Sequence, residues 1–226
     1  MKMFTKKDIT KFYKGHEELI KETTVNWRIH SLIKKGVVQR IGGGRYSISN
    51  QKEFPTLINS AMMDAAALIQ TQFPFLDFCI WDTLILNNLS QNQSNLSIIV
   101  IETEKDSCEA IFNLLQENEK NVYLNPSQEI FDRYVTNQKE VIVTTSLITE
   151  APVKKQGDMT TITLEKLLVD LFCDRIVLSS YAGIEMRRIF KHAFLKYQIN
   201  ESTLLRYAAR RGKKHEIEQF IKDSND

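Results

Sequence analysis

The sequence predicts an α/β (α+β) protein in two parts, a small basic domain at residues 1–52 and a larger α/β domain at residues 53–226. Charge is distributed unevenly, because residues 1–50 carry 11 Lys and Arg against 4 Asp and Glu, whereas residues 51–153 carry 5 against 14. Strand-like and helical apolar stretches alternate through the larger part, which is typical of an α/β sheet. The polar stretch SNQKEFPT, ending near Pro55, predicts the boundary between the two domains.

Composition excludes several classes of protein. The 226 residues are 42% hydrophobic and 26% charged, an ordinary globular composition. The sequence has neither an apolar run of about 18 residues nor a secretory signal, so we expect a cytoplasmic protein without a membrane span. Because Cys79, Cys108 and Cys173 lie far apart in apolar surroundings and the histidines lack metal-ligand spacing, we expect no disulfide, metal or cofactor.

The first helix is predicted at Lys6–Lys14. Thr5 precedes it and Asp8 follows three residues later, which is a capping box with Asp in the place of Glu. Gly15 ends the helix, and His16–Ile20 is expected to form a second, short helical turn.

The second helix is predicted at Thr24–Lys35, with Thr24 as its N-cap and Gly36 just beyond its C-terminus. Four apolar residues recur at i, i+4, i+7 and i+8 and define one buried face. They are Val25, Ile29, Leu32 and Ile33. Trp27 is expected between this face and the polar one.

A hairpin is predicted after the second helix. Residues 37–41 and Tyr46–Ile48 form its strands, and three glycines at 42–44 join them, because Gly tolerates the positive φ of a hairpin turn. Arg40 and Arg45 flank the turn. Helix, short turn, helix and basic hairpin is the order of a winged helix-turn-helix domain.

A basic winged helix is typical of DNA-binding proteins. Its recognition helix enters the major groove, where Asn pairs with adenine and Arg with guanine, while the basic wing contacts phosphates. The predicted partner is therefore double-stranded DNA, such as a promoter operator. Winged helices also serve as protein-interaction modules, and that function stays an alternative. The candidate DNA-binding residues are Thr24, Asn26, Trp27, Arg28, His30, Ser31, Lys34, Arg40 and Arg45.

The larger domain is predicted to contain a mixed sheet. We expect helices at 57–70, 108–118 and 128–135, and strands at 78–86, 97–102, 122–124 and 140–147. The first two strands are compatible with antiparallel pairing.

One group of residues in this domain is similar to a nuclease metal site, in which an Asp precedes a strand bearing (D/E)-x-K. The group comprises Pro74, Asp77, Glu102, Glu104 and Lys105. Lys105 lies three residues from Glu102 and one from Glu104, so on a strand it shares a face with neither. We therefore predict a protein that is not an enzyme, with a metal-dependent nuclease as the less favoured alternative. Asp82 is interpreted as a structural hydrogen-bonding residue at a strand or turn.

Four helices are predicted near the C-terminus, the first capped by Thr163 and the others at 181–198, 201–211 and 213–222. Residues 185–222 carry 10 Lys and Arg against 4 Asp and Glu. This excess predicts a second basic surface, for which solvated helix faces are the alternative interpretation. Its residues are Arg187, Arg188, Lys191, Arg206, Arg210, Arg211, Lys213 and Lys214.

Two stretches carry a resemblance to a known family, the abortive-infection (AbiEi-like) type IV antitoxins. The run T-x-x-W-R-I-x-x-L-x-x-x-G at residues 24–36, followed by Arg40, Gly44 and Tyr46, resembles the N-terminal winged helix of that family. The stretch TLEKLLVDLF at 163–172 and the ending LLRYAARR at 204–211 resemble its C-terminal part. The resemblance implies a regulator that represses its own promoter and neutralises a nucleotidyltransferase-like toxin or protects its target. We expect a monomer or weak dimer.

Overall fold

The computed structural model describes residues 3–34, 36–42, 44–48, 51–118 and 121–225. The chain divides into two compact units. The first unit comprises Met1–Glu53 with Leu195–Asn200, and the second comprises Phe54–Phe194 with Glu201–Asp226. The sequence did not predict that a segment from the C-terminal part belongs to the first unit.

The first unit is built from three short strands and two helices: β1 (Met3–Thr5), α1 (Lys6–Lys14), α2 (Glu22–Lys34), β2 (Val38–Gly42) and β3 (Arg45–Ile48). The strands form an antiparallel sheet in the order β1–β3–β2. The hairpin was predicted, whereas β1 was not, because three residues are too few for a period-2 pattern to be recognised. Residues 16–20, predicted as a helical turn, form hydrogen-bonded turns outside any helix.

The capping box at the start of α1 is confirmed. The Thr5 hydroxyl accepts a hydrogen bond from the Asp8 backbone N–H at 3.3 Å, and the Asp8 carboxylate accepts one from the Thr5 backbone N–H at 2.7 Å. These reciprocal bonds satisfy two helix-end donors. The Thr5 backbone N–H and the Thr5 hydroxyl both donate to the Asp8 carboxylate, and these two bonds hold the pKa of the Asp8 carboxyl below its ordinary value.

Helix α2 begins at Glu22, two residues before the predicted N-cap, so Thr24 lies in its first turn. The predicted last residue, Lys35, lies outside the described residues, whereas the predicted stop at Gly36 is confirmed. The backbone N–H of Gly36 donates to Ile33 O at 2.9 Å and that of Val37 donates to Leu32 O at 3.0 Å, the pattern of a Schellman motif. Gly36 has φ +64°, a backbone conformation that favours glycine, and a Cβ there would displace the end of the flexible Gln198 side chain.

The core of the first unit lies between the two helices and the sheet. Val25 and Ile29 of α2 are buried as predicted, and Leu32 and Ile33 pack against them partly buried. The remaining buried residues of this core are Ile9, Val38 and Tyr46.

The second unit contains a four-stranded sheet, a separate hairpin and seven α-helices among the residues described. In chain order the elements are α3 (Ser60–Gln72), β4 (Phe78–Asp82), β5 (Ser97–Thr103), α4 (Cys108–Asn118), β6 (Val122–Leu124), a single turn α5 (Gln128–Ile130), β7 (Glu140–Ser146), β8 (Val153–Gln156), β9 (Met159–Ile162), α6 (Leu164–Cys173), α7 (Ile184–Lys196), α8 (Glu201–Arg210) and α9 (Lys214–Asn225). Helix α7 continues into the first unit for its last two residues.

The sheet is mixed, as predicted, with strand order β4–β5–β7–β6. Strand β4 runs antiparallel to β5, whereas β5, β7 and β6 are parallel to one another. The carboxyl ends of the three parallel strands therefore meet at one edge of the sheet. Helices α3 and α4 cover one face, where Ile80, Ile101 and Ile142 pack against Ile69 and Ile111.

Several predicted bounds differ from the observed ones for identifiable reasons. The strand predicted to run to residue 86 stops at Asp82, because the Asp82 carboxylate accepts a hydrogen bond from Leu84 N–H at 2.8 Å and starts a tight helical turn at Thr83–Asn88. The hairpin β8–β9 was missed. Its polar strands, VKKQ and MTTI, are half exposed and carry little apolar periodicity.

Asp82 has the structural role that was predicted for it. Its carboxylate, 1% exposed, accepts hydrogen bonds from Asn59 at the start of α3 (2.7 Å) and from Ser97 at the start of β5 (2.6 Å), besides Leu84. Burial raises the pKa of this carboxyl, and the three donors oppose that shift. The Asp82 side chain thus links the start of α3, the end of β4 and the start of β5.

In the part of the chain that is described, every helix is too short or too polar to cross a membrane.

We predict that Asp82→Ala lowers the free energy of unfolding by about 3 kcal/mol, because it leaves one buried donor and two partly buried donors without their acceptor. Urea denaturation followed by circular dichroism measures the loss. Asp77→Ala, five residues earlier and exposed, is the matched control and should change the free energy by less than about 0.5 kcal/mol. Equal effects of the two substitutions would contradict the role assigned to Asp82.

Candidate functional site

Helix α2 exposes a polar and aromatic stripe opposite its buried face. Thr23, Asn26, Trp27 and His30 follow the i, i+3, i+4, i+7 spacing of one helix face, and all four are exposed. Trp27 is 68% exposed and lies within this stripe, rather than between the two faces as expected. A large aromatic side chain beside an amide and an imidazole is a surface suited to contact with another molecule.

Arg28 is engaged within its own unit. Its guanidinium forms two contacts with the Glu17 carboxylate, NH1 to Oε1 at 2.8 Å and NH2 to Oε2 at 3.0 Å, and lies 4.8 Å from the centroid of the Tyr13 ring. The side chain is 28% exposed. Sequence reasoning placed Arg28 among the base-reading candidates, but the bidentate pair joins α2 to the preceding turn. Contact with a base requires release of Glu17.

The other predicted residues of this unit fall into two groups. Thr24 and Ser31 are partly buried at the edges of the exposed stripe, and Arg45 is exposed where β3 begins, next to Gly44 with φ +72°. The side chains of Lys34 and Arg40 lie outside the described part of the chain. The described geometry therefore groups Asn26, Trp27 and His30 on one face.

Helix α1 contributes a basic groove that the sequence analysis did not single out. Lys7, Lys11 and Lys14 recur at i, i+4 and i+7, and together with Lys6 they line a depression of about 580 Å³. Lys6 Nζ pairs with the Glu22 carboxylate at 2.7 Å. The remaining lining residues are Thr10 and Ile20. The spacing of the lysines was the signal that could have revealed this groove.

The predicted second basic surface is largely engaged in contacts within the second unit. Two of its residues pair with neighbouring carboxylates on the same helix or the next, and two more contact residues of other elements. The contacts are Arg188–Glu185 at 3.6 Å, Lys213–Glu216 at 2.9 Å, Arg210–Glu150 at 3.6 Å and Arg187 over the Phe220 ring at 5.0 Å. Lys191, Arg206 and Lys214 are exposed. Arg211 points inward instead.

A buried polar network lies on the second face of the sheet, and sequence reasoning missed it. Lys166 on α6 is 0% exposed, and its ammonium donates to both Glu102 oxygens, at 2.8 and 2.6 Å, and to Asp170 Oδ2 at 2.6 Å. Trp81 Nε1 donates to Glu102 at 2.9 Å. Tyr207 OH donates to Asp170 Oδ1 at 2.9 Å, and Arg211 lies 3.2 Å from the same oxygen.

The protonation states of this network follow from its geometry. Burial lowers the pKa of Lys166, but the carboxylates of Asp170 and Glu102 raise it by more, so the ammonium stays charged. Burial also raises the pKa of Tyr207, so its hydroxyl remains a donor to Asp170 at neutral pH. Two cations, Lys166 and Arg211, face two carboxyl groups. Burial raises the pKa of the Glu102 carboxyl, and Lys166 and Trp81 oppose that shift.

The residues of the nuclease hypothesis are not brought together as a metal site. Asp77, Glu104 and Lys105 are exposed, whereas Glu102 is buried against Lys166. Among the described residues, no group of three His, Cys, Asp or Glu side chains is arranged to hold a metal ion. Cys79 and Cys108 are buried as core residues, and Cys173 is partly buried.

We predict that Lys166→Met lowers the free energy of unfolding by about 3–5 kcal/mol, because it leaves Glu102 without a cation in the interior. Adding Glu102→Gln should restore part of the loss, since Asp170 keeps Arg211 and Tyr207. Lys191→Met, on an exposed lysine, is the control and should have little effect. Chemical denaturation of the four proteins provides the measurement, and a double variant less stable than Lys166→Met would refute this account.

Comparison with known proteins gives one family. No curated protein matches the chain significantly. The model of a family of unknown function, DUF6577, matches residues 24–226, which includes α2 from its third residue, the hairpin and the whole second unit. The resemblance to AbiEi-like antitoxins is not tested by this match and stays a prediction. Because the match covers most of its length, the chain belongs to the DUF6577 family.

Proposed function

We propose that this protein is a DNA-binding transcriptional regulator whose first unit is a winged helix-turn-helix. The order β1–α1–turn–α2–β2–β3, with β1 paired to β3, supports this assignment, since a winged helix places its recognition helix directly before the hairpin. In this proposal α2 is the recognition helix and the β2–β3 hairpin is the wing.

The observation that carries the proposal is the exposed stripe of α2. A recognition helix needs side chains that project from the protein and remain available for base edges. Asn26 offers the amide that pairs with adenine, His30 offers a ring nitrogen, and Trp27 offers an apolar surface for a thymine methyl group or a sugar. All three are exposed, and the opposite face of α2 is held by Val25 and Ile29.

The lysine groove of α1 supplies the second requirement, which is contact with phosphates. In helix-turn-helix proteins the helix before the recognition helix crosses the DNA backbone. Lys7, Lys11 and Lys14 lie on one side of α1, and Arg45 is exposed at the wing. The excess of positive charge at residues 1–50, against the acidic residues 51–153, favours approach of DNA to the first unit.

Arg28 is assigned a different role from the one first expected. Its pair with Glu17 and its position over Tyr13 fix the orientation of α2 against the preceding turn. We therefore propose that Arg28 positions the recognition helix, while Asn26 and His30 contact bases.

We expect the full chain to bind the DNA directly upstream of its own coding region. Fluorescence anisotropy against a shuffled duplex of equal composition gives both affinity and specificity. We expect about five phosphate contacts. The logarithm of the association constant should then fall with the logarithm of the salt concentration with a slope of about −4.5, which is about a 500-fold loss of affinity between about 50 and 200 mM salt. Failure to bind either duplex at low salt would reject DNA binding and favour a protein-interaction module.

Two variants separate base contacts from phosphate contacts in the same assay. Asn26→Ala should weaken the specific duplex by about 1–3 kcal/mol and leave the shuffled duplex unchanged. Lys11→Gln should weaken both duplexes and reduce the salt slope by about 1. Lys139→Gln, an exposed lysine of the second unit outside the second basic surface, is the matched control with no expected change.

We further propose that the regulator acts as an antitoxin, on the basis of its resemblance to AbiEi-like proteins. The expected outcome is that co-expression of the chain restores growth to cells that express a nucleotidyltransferase-like protein encoded beside it. Asn26→Ala should keep this rescue while losing repression of the promoter, because the second unit is unchanged. Absence of such a neighbouring gene, or growth arrest that persists despite a folded chain, would reject the antitoxin role.

A further inference from the structure

A cavity in the second unit opens where the parallel strands end. It has a volume of about 390 Å³ and lies at the carboxyl ends of β5, β6 and β7, beside the end of α6 and the turn that follows it. In α/β sheets, ligands bind outside the carboxyl ends of the strands. The volume lies within the range of small-molecule sites, about 300–1,000 Å³.

The acidic groups of this cavity are already satisfied by the protein. Glu102 accepts from Lys166 and Trp81, and Asp170 accepts from Lys166, Tyr207 and Arg211. Asp174 Oδ1 accepts from the backbone N–H groups of residues 176 and 177, at 2.7 and 2.9 Å. Glu102 and Asp170 are therefore each neutralised by a cation of the protein, and Asp174 caps the turn that follows α6.

Two guanidinium groups remain to face a ligand. Arg211 lines the cavity and contacts Asp170 through NH1, and the guanidinium carries five N–H donors in all. Arg175 also lines the cavity and is exposed. Planar guanidinium groups bind carboxylates and phosphates through paired hydrogen bonds.

The rest of the wall is a combination of aliphatic surface and short polar side chains. Val100, Val143 and Ile176 supply apolar area. Asn125 has φ +41°, an uncommon backbone conformation for a residue other than glycine, and its side chain accepts from Thr145 at 2.7 Å. Strained backbone of this kind clusters at binding sites.

We propose that this cavity binds a small organic anion, with a phosphate or carboxylate group on Arg211 and Arg175 and an apolar body against the aliphatic wall. The buried network then has a positioning role. Lys166 and Tyr207 hold Asp170, and Asp170 orients the guanidinium of Arg211 toward the cavity. This site is separate from the DNA-binding surface and does not depend on the proposed function.

The chain contains two tryptophans, and Trp81 lines the cavity. A full-length Trp27→Phe protein therefore reports on the site through Trp81 fluorescence alone. Two probes are organic anions, adenosine 5′-monophosphate with a phosphate group and hexanoate with a carboxylate group. Inorganic phosphate tests the anionic group without an organic part, and adenosine tests the organic part without the anionic group. We expect a saturable fluorescence change with at least one organic anion, and weaker binding of inorganic phosphate and adenosine.

Variants in the Trp27→Phe background test the assigned groups. Arg175→Gln, an exposed substitution, and Arg211→Gln should each weaken binding of the organic anion at least about tenfold. Arg206→Gln, on an exposed arginine of α8, is the control and should bind normally. Circular dichroism confirms that each variant is folded.

Three results would overturn the proposal. The first is that neither organic anion shows saturable binding. The second is that hexanoate does not bind and adenosine binds as tightly as its monophosphate. The third is that both arginine variants bind the organic anion with unchanged affinity. A preference between the phosphate and the carboxylate identifies which anionic group the site takes.

Discussion

Lys166 places a charged ammonium group where no solvent reaches it, and much of the second unit is arranged around that group. Two carboxylates from different elements, Glu102 on β5 and Asp170 on α6, neutralise it at 2.6–2.8 Å. Each carboxylate is then completed by a further donor, Trp81 from β4 or Tyr207 from α8. Removing water from such groups costs several kcal/mol per ion, so the arrangement is tolerated only because every oxygen of the two carboxylates has a donor. The network thereby fixes the positions of α6 and α8 relative to one face of the sheet.

The first unit is held together by different means. Its core is small, and local backbone devices stabilise its helices: the Thr5–Asp8 capping box and the Schellman motif at Gly36. The Arg28–Glu17 pair is partly exposed. An ion pair of this kind adds little to the free energy of unfolding, and its main effect is to orient α2 against the preceding turn. A unit stabilised in this way leaves one face of α2 and the groove of α1 uncovered, which is the property that a DNA-binding surface requires.

The two units also differ in their charge and in the kind of surface that they expose. Positive charge concentrates at residues 1–50, while the middle of the chain is acidic. The basic residues that follow, from 185 onward, contribute mainly to contacts within the second unit, and Arg211 turns inward to the buried network. The cavity beside that network supplies polar and apolar groups together, which is the usual composition of a small-molecule site.

The sequence alone determined the features that depend on neighbouring residues. The bounds of α1 and α4, the glycine after α2, the cap at Thr163 and the position of Asp82 all follow from spacing, capping and turn chemistry within a few residues. Only the tertiary structure decided which charged residues meet. In sequence, Lys166 and Asp170 are an ordinary i, i+4 pair on α6, and nothing near them indicates Glu102, 64 residues away. In the same way, the pairing of Arg28 with Glu17 depends on how the turn folds back on α2. Ion pairs between distant elements are set by packing, and packing is not encoded in any local pattern.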